Sequence, residues 1–265
     1  MLIGGIVLSG VWLFTGRRQS LSRRVWLALV CAAVFFALDL WFWHRSIVYV
    51  GAGLATLLAN LQVFFMIAAG VALAGQPPTA RQAAAAVLAL GGLSIMIGPE
   101  WTDPPPAFRV GVVLGVLTAA SYAGYMLSMR AARLQAVDIA PVREVAVVSL
   151  LTAVLLGIAS CADGSSLKVT TWSDLSWLMA YGVLAHSFGV MLITSSLAKV
   201  STTQVGIALL LQPALSFVWE VLFFARVTSQ WEAVGVAITL GAIFLGSTKS
   251  LRVSRSQFGI GKPRL

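Results

Sequence analysis

The sequence predicts an all-α, polytopic membrane bundle of nine transmembrane helices, and three observations predict it. Of its 265 residues, 59% are hydrophobic and only 10% charged, far from the roughly 25% charged of a soluble domain. Long apolar runs recur along the chain, separated by turn and breaker clusters such as GQPPT at 75–79, the DPPP run at 103–106 and ADGSS at 162–166. Finally, if alternate connections are assigned to opposite sides, 14 of the 18 Lys and Arg residues fall on one side and 4 on the other. That bias fits the positive-inside rule and places the C-terminus in the cytoplasm.

The expected spans are Met1–Thr15, Val25–Trp43, Ile47–Ala74, Arg81–Gly98, Arg109–Met129, Val142–Ser160, Leu175–Leu197, Thr203–Ala225 and Trp231–Gly246. The first, at fifteen residues, reaches roughly 22 Å, short of a hydrocarbon layer of about 30 Å. It has neither the basic flank nor the small-residue cleavage site of a signal peptide, and the expectation is that sequence preceding Met1 is missing. In the second span Asp39 lies near the outer end, close to His44 and Arg45, which offer it a local charge pair. In the third, Thr56 and Asn60 share a helical face, and Asn60 is the only asparagine of the chain.

The fifth span carries Thr118, Ser121, Tyr122, Tyr125 and Ser128 along one side. Tyrosines beside hydroxyls suit a cavity that holds an amphipathic or aromatic metabolite, while hydroxyls also serve as interhelical glue. Gly111 and Gly115 on the same span, with the pairs Gly51/Gly53 and Gly91/Gly92, are assigned to close helix packing. His186 stands at the middle of the seventh span on a mostly apolar helix, where a satisfied packing histidine competes with a functional one. The eighth span has the densest polar pattern: Gln204, Gln212, Ser216 and Glu220 repeat at eight, four and four residues and so line one helix face. Pro213 within it removes a backbone hydrogen bond and is expected to act as a hinge. Most tryptophans, including Trp12, Trp26, Trp41, Trp43, Trp101, Trp172 and Trp231, sit near span ends as interfacial anchors do, whereas Trp219 is placed for packing.

The net charge of +9 is an orientation signal rather than a nucleic-acid footprint, given where the charges fall. Cys31 and Cys161 give no CxxC and no metal spacing, and the two histidines form no HExxH. Without GxxxxGK[ST] as well, the reading is no metal, no cofactor and no enzyme, with any driving energy taken from a gradient or from exchange.

The segment 57–82 echoes 209–230: Gln62 falls on Gln212, Gln82 on Gln230, and Thr79 near Thr228. Spans six to nine then pair with spans one to four, and span five is left without a counterpart. The corresponding domains are 1–100, with four helices, and 107–248, with five, followed by a basic tail at 249–265.

HRSIVYVGAGLATLLANLQVFF at 44–65, GQPPTARQ at 75–82, SSLAKVSTTQVGIALLLQPALSFVWEVLFF at 195–224 and GAIFLGS at 241–247 resemble the EamA-type members of the drug/metabolite transporter superfamily. The resemblance implies ten helices in two inverted five-helix repeats around a central cavity, with alternating access. This chain departs from it by lacking the first helix. It has Gln76 and Ala225 in place of the acidic residues often found after the fourth and ninth helices, and Val63 where the second repeat has Pro213, so bending is expected to be asymmetric. The reading that follows is a secondary transporter in the inner (cytoplasmic) membrane, moving a small organic metabolite or drug-like solute, with efflux as the expected direction. Helices two, three, five, seven and eight would line the path through Asp39, Thr56, Asn60, Tyr122, Tyr125, His186, Gln212, Ser216 and Glu220. Its partners are the lipid bilayer and a small-molecule substrate, with no nucleic acid and with homodimerisation left open. The alternatives are a non-transporting or partner-dependent remnant of the fold and, last, a membrane enzyme.

Overall fold

The computed structural model describes residues 1–15, 21–75, 77–97, 108–135, 141–164, 168, 169, 171–212, 215, 218, 222 and 229–247, and every regular element among them is helical. In order these are α1 (Leu2–Thr15), α2 (Arg23–Asn60), α3 (Gln62–Ala74), α4 (Ala80–Ile97), α5 (Phe108–Gln135), α6 (Val142–Ala162), α7 (Trp172–Ala180), a π-helical stretch (Tyr181–Gly189), α8 (Val190–Ser196), α9 (Thr202–Leu209) and α10 (Gln230–Ser247). Among the described residues five segments are long and apolar enough to cross a bilayer: Arg23–Gly51, Ala55–Leu73, Phe108–Gln135, Val142–Ala162 and Trp172–Ser196. The chain is therefore a multi-pass helical membrane protein. Each of the nine expected spans falls on helix, the eighth in part. Trp101, Trp219, Gln76, Ala225 and the tail at 249–265 lie outside the described residues.

Local chemistry sets several helix starts. The Ser22 hydroxyl accepts from Val25 N ahead of α2 at 3.3 Å, and the Thr171 hydroxyl accepts from Asp174 N ahead of α7 at 3.1 Å. Before α9, Ser201 and Gln204 form a reciprocal capping box, with Gln204 N donating to Ser201 Oγ and Ser201 N to Gln204 Oε1. Gln204 thus commits its amide oxygen to the helix start, while it and Gln212 line one cavity together. In the π stretch, Ser187 Oγ donates to Gly182 O, five residues back, at 2.8 Å, a reach that the wider turn provides.

One expected boundary is corrected. Residues 44–46, read as a connection, are helical, and the break comes at Gly51, whose φ of +79° and ψ of 161° suit glycine. The polar residues stay in the helix because each finds a partner there. His44 Nδ1 donates to Leu40 O, Ser46 Oγ donates to Gly111 O of α5, and Arg45 pairs with Asp163 at 2.6 Å while lying over the Trp41 ring. Asp39 consequently sits near the middle of Arg23–Gly51 rather than near its outer end.

The helices assemble across the two halves of the chain: α2 lies along α5, α4 on α10, α1 on α6 and the π stretch, and α3 on α9. Close approach at glycine marks these seams. A Cβ on Gly111 would meet Val50 at 2.4 Å, and one on Gly115 would meet Leu58 at 2.7 Å, as expected of that GxxxG pair. Gly51 and Gly91 do not follow the packing expectation, since a Cβ on either meets nothing within 4 Å. Gly92, beside Gly91, does: its Cβ would strike Thr239 Oγ1 at 2.5 Å and Gly235 O at 2.6 Å on α10. Between α5 and α6, Arg133 Nη1 donates to both Glu144 oxygens at 3.1 and 3.2 Å, with both residues buried.

Two predictions follow from this packing. Gly92→Ala should destabilise the purified protein by about 1–3 kcal/mol, because backbone on α10 must move, whereas Gly91→Ala should be neutral or stabilising by up to about 1 kcal/mol. Equal effects of the two in denaturant unfolding would contradict the α4–α10 seam. Glu144→Ala, which breaks this buried pair, should cost about 3–5 kcal/mol in the same assay. A loss below about 1 kcal/mol would mean that the pair is solvated.

Candidate functional site

A cavity of about 460 Å³ lies among α2, α3, α5, the π stretch and α9. Its wall is built from Asp39, Trp43, Thr56, Ala59 and Asn60 of α2, Gln62 at the start of α3, Thr118 and Tyr122 of α5, Tyr181 of the π stretch, and Gln212 beyond α9. This volume is within the range of small-molecule sites, roughly 300–1,000 Å³.

Helical spacing puts Asp39 and Trp43 on one face, one turn apart. Beyond the Gly51 break the helix resumes, presenting Thr56, Ala59 and Asn60, and Asn60 Nδ2 donates to Thr56 O at 2.7 Å. At Leu61 the backbone tightens, with Leu61 N donating to Leu58 O rather than one residue further back, and Gln62 follows at once. The second half repeats this: Leu210 N donates to Ile207 O at 3.2 Å, two residues before Gln212. The tightening thus occurs in the half with Val63 as well as in the half with Pro213. The two repeat-related glutamines meet the cavity from opposite halves of the chain.

Tyr122 of α5 and Gln212 beyond α9 meet on this wall. Tyr125 is fully buried behind the wall, its ring stacked on Phe36 at 4.2 Å between centroids and 6° between planes. Asp39 is buried too. It makes no ion pair or hydrogen bond among the described residues, and the local charge pair offered by the sequence does not form because Arg45 is turned to Asp163. Gln62 Oε1 is likewise buried with no hydrogen-bond partner among the described residues. These are the acceptors that the wall leaves open.

His186 stands apart from the cavity. Ser149 Oγ lies 2.7 Å from its Nε2 and also donates to Val145 O at 2.7 Å. A hydroxyl has one proton, so with that proton on Val145 O the imidazole Nε2–H is the donor to Ser149. This is a histidine satisfied within the packing of α1, α6 and the π stretch. The structure therefore gathers Asp39, Thr56, Asn60, Tyr122 and Gln212, sets Tyr125 behind them, and leaves His186 outside. Ser216, Glu220 and the hinge residue Pro213 lie outside the described residues. Gln62, Thr118, Trp43 and Tyr181 complete the wall without having been among the expected path residues. Of these Gln62 had the clearest signal, its match to Gln212.

Past the cavity, α5 continues to Arg130, whose Nη1 donates to the carbonyls of Leu197 and Val200 where α8 ends. This cation satisfies orphan helix-end acceptors and fastens α5 to the α8–α9 connection. Among the described residues no group of three His, Cys, Asp or Glu could hold a metal ion. A second cavity, about 510 Å³ and mostly apolar, lies between α8 and α9, with Gln212 on its rim as well.

Among curated proteins no match was found. Of 27 solved chains that match, one described as "Crystal structure of protein" superposes with a TM-score of 0.78, at 18% identity, over 92% of this chain and 83% of that one. A likeness at that identity speaks for the fold alone. The family model described as EamA-like transporter family matches residues 1–98 and 109–248. A match that takes in both halves of a multi-pass helical chain establishes that it belongs to the EamA-like transporter family.

Proposed function

We propose that the chain is a secondary transporter that carries a small organic solute out of the cell across the inner membrane by alternating access, with its C-terminus in the cytoplasm. The observation that carries this reading is the cavity of about 460 Å³ to which both halves of the chain contribute polar side chains in the middle of a lipid-embedded bundle. Polar groups at that depth are costly to place, and they mark solute paths more often than architecture. The rocking of one half against the other would work on the α2–α5 and α3–α9 contacts, with the tightened turns at Leu61 and Leu210 taking up local change. The tie of Arg130 to the end of α8 would close one side while the cavity is accessible from the other. The Ser149–His186 pair lies away from the cavity, which supports a carrier rather than an enzyme.

One observation favours the partner-dependent reading. The elements that correspond between the halves pair with each other as α1 with α6, α3 with α9 and α4 with α10, but the α2–α5 pair has no twin. The counterpart of α2, Trp172–Ser196, keeps Trp177, Tyr181, Leu184, Phe188 and Leu192 exposed. A helix supplied by another subunit would fit against that face. A cysteine at Leu184 or Leu192 would then cross-link to a co-purifying subunit in native membranes, and persistence of the single-chain mass would remove this reading.

In cells or proteoliposomes, Ala59→Trp, which thrusts an indole into the cavity, should lower solute flux at least tenfold (roughly the scale of a lost binding geometry) while Ala59→Ser keeps it. Wild-type flux in Ala59→Trp would mean that the cavity is not the path. Proton coupling through Asp39 or Glu220 is part of the proposal, and an unchanged pH dependence of flux in both Asp39→Asn and Glu220→Gln would remove it. A fluorescent protein fused after Leu265 should fluoresce when it stays in the cytoplasm; activity there only of an export-dependent reporter would reverse the orientation.

A further inference from the structure

We propose that the Asp39 cavity is a site for an organic cation, an amphipathic amine whose ammonium rests against the Asp39 carboxylate and donates an N–H to Gln62 Oε1. The proposal deepens the transport reading and rests on it for the solute's movement, although not for its binding.

Three observations point to this chemistry. Asp39 is a buried carboxylate with no ion-pair or hydrogen-bond partner among the described residues, and the cation nearest to it in sequence, Arg45, is held by Asp163 and Trp41. Gln62, on a different helix, lines the same cavity, and its Oε1 is buried with no hydrogen-bond partner among the described residues. Two open acceptors converging in hydrocarbon call for a ligand that donates, and one carboxylate without a counter-ion calls for a positive charge.

The rest of the wall selects among cations. Trp43, Tyr122 and Tyr181 supply ring faces, which attract ammonium groups and cover apolar bodies. An inorganic cation would want a shell of six or so oxygens instead. A phosphate or a carboxylate would find no cation among the described residues lining the cavity, and would meet Asp39 as a like charge. The volume of about 460 Å³ admits a metabolite of one ring and a short chain rather than a lone ammonium ion.

The decisive measurement uses the full chain in lipid nanodiscs and four probes of one shape, followed by calorimetry or tryptophan fluorescence. The probes are phenethylamine, phenethyltrimethylammonium, a neutral phenylalkyl alcohol and a phenylalkyl carboxylate. The two cations should bind at least roughly tenfold more tightly than the alcohol, with the carboxylate weakest. Asp39→Asn should weaken both cations by roughly tenfold or more, and Asp39→Glu should restore part of the affinity. Gln62→Leu should weaken phenethylamine severalfold but spare the trimethylammonium probe, which has no N–H to give. Thermal unfolding of each variant, run beside the binding, separates a lost site from a lost fold. Should Asp39→Asn prove unstable, the ordering of the four probes on the wild-type chain decides the matter alone. Binding of the alcohol or the carboxylate as tightly as the amines, or undiminished cation binding in a folded Asp39→Asn, would overturn the proposal. Cation binding without uptake into proteoliposomes would leave this site standing and defeat the transport reading. Flux of a neutral or anionic solute that Asp39→Asn leaves intact would do the reverse.

Discussion

Hydrocarbon offers no water to complete a hydrogen bond, so a polar group that enters the bilayer must be answered from within the protein. The rest of this structure depends on that constraint. Hydroxyls turn back onto their own helices, as Ser94 does to Leu90 O, Thr118 to Leu114 O and Ser149 to Val145 O. Others reach across a seam, as Ser46 does to Gly111 O and Thr239 to Ala89 O. The charged groups obey the same rule, with Arg133 on Glu144, Arg45 on Asp163, and Arg130 on the last carbonyls of α8. Against this background two buried acceptors without a partner among the described residues, on Asp39 and at Gln62 Oε1, stand out as a departure.

The same solvent explains how the helices hold together. Apolar surface gains little by leaving lipid for protein, so contact must come from close fit and from polar bridges. Glycine supplies the fit at Gly111 and Gly115 against α2 and at Gly92 against α10. The polar bridges then fix depth and register, as Thr239 does by bonding both Gly235 O and Ala89 O. A bundle made this way has seams rather than one continuous oily core, and seams between two halves of a chain are what an alternating-access carrier needs in order to rock. The cavity lies where those seams meet, so motion along them would change its exposure.

Much of the fold was legible because its signals are local. A span announces itself by length and hydropathy, a turn by glycine and proline, and the 14-to-4 distribution of basic residues fixes an expected topology without any knowledge of packing. The site was legible in part. Asp39, Thr56, Asn60, Tyr122 and Gln212 were conspicuous as polar residues in apolar spans, and they do share a cavity. His186 was equally conspicuous by that criterion, and nothing in its own helix could reveal Ser149 waiting 2.7 Å away on α6. Gln204 looked like one more member of a polar stripe, and nothing in that spacing showed that its amide oxygen also caps the helix. The residues 44–46 looked like a connection because three polar side chains in a row suggest water, whereas their partners are a carbonyl on the same helix, a carbonyl on α5 and a carboxylate at the end of α6.

Sequence by itself thus determined the class of solvent, the order of the apolar spans and the repeat that relates Gln62 to Gln212, since each depends on composition and spacing along one strand of chain. Tertiary structure alone decided which polar groups are spent and which remain open. Whether a side chain is satisfied is a property of the pair it forms, and the pairs here, Arg45 with Asp163 and Ser149 with His186, are made between helices far apart in sequence.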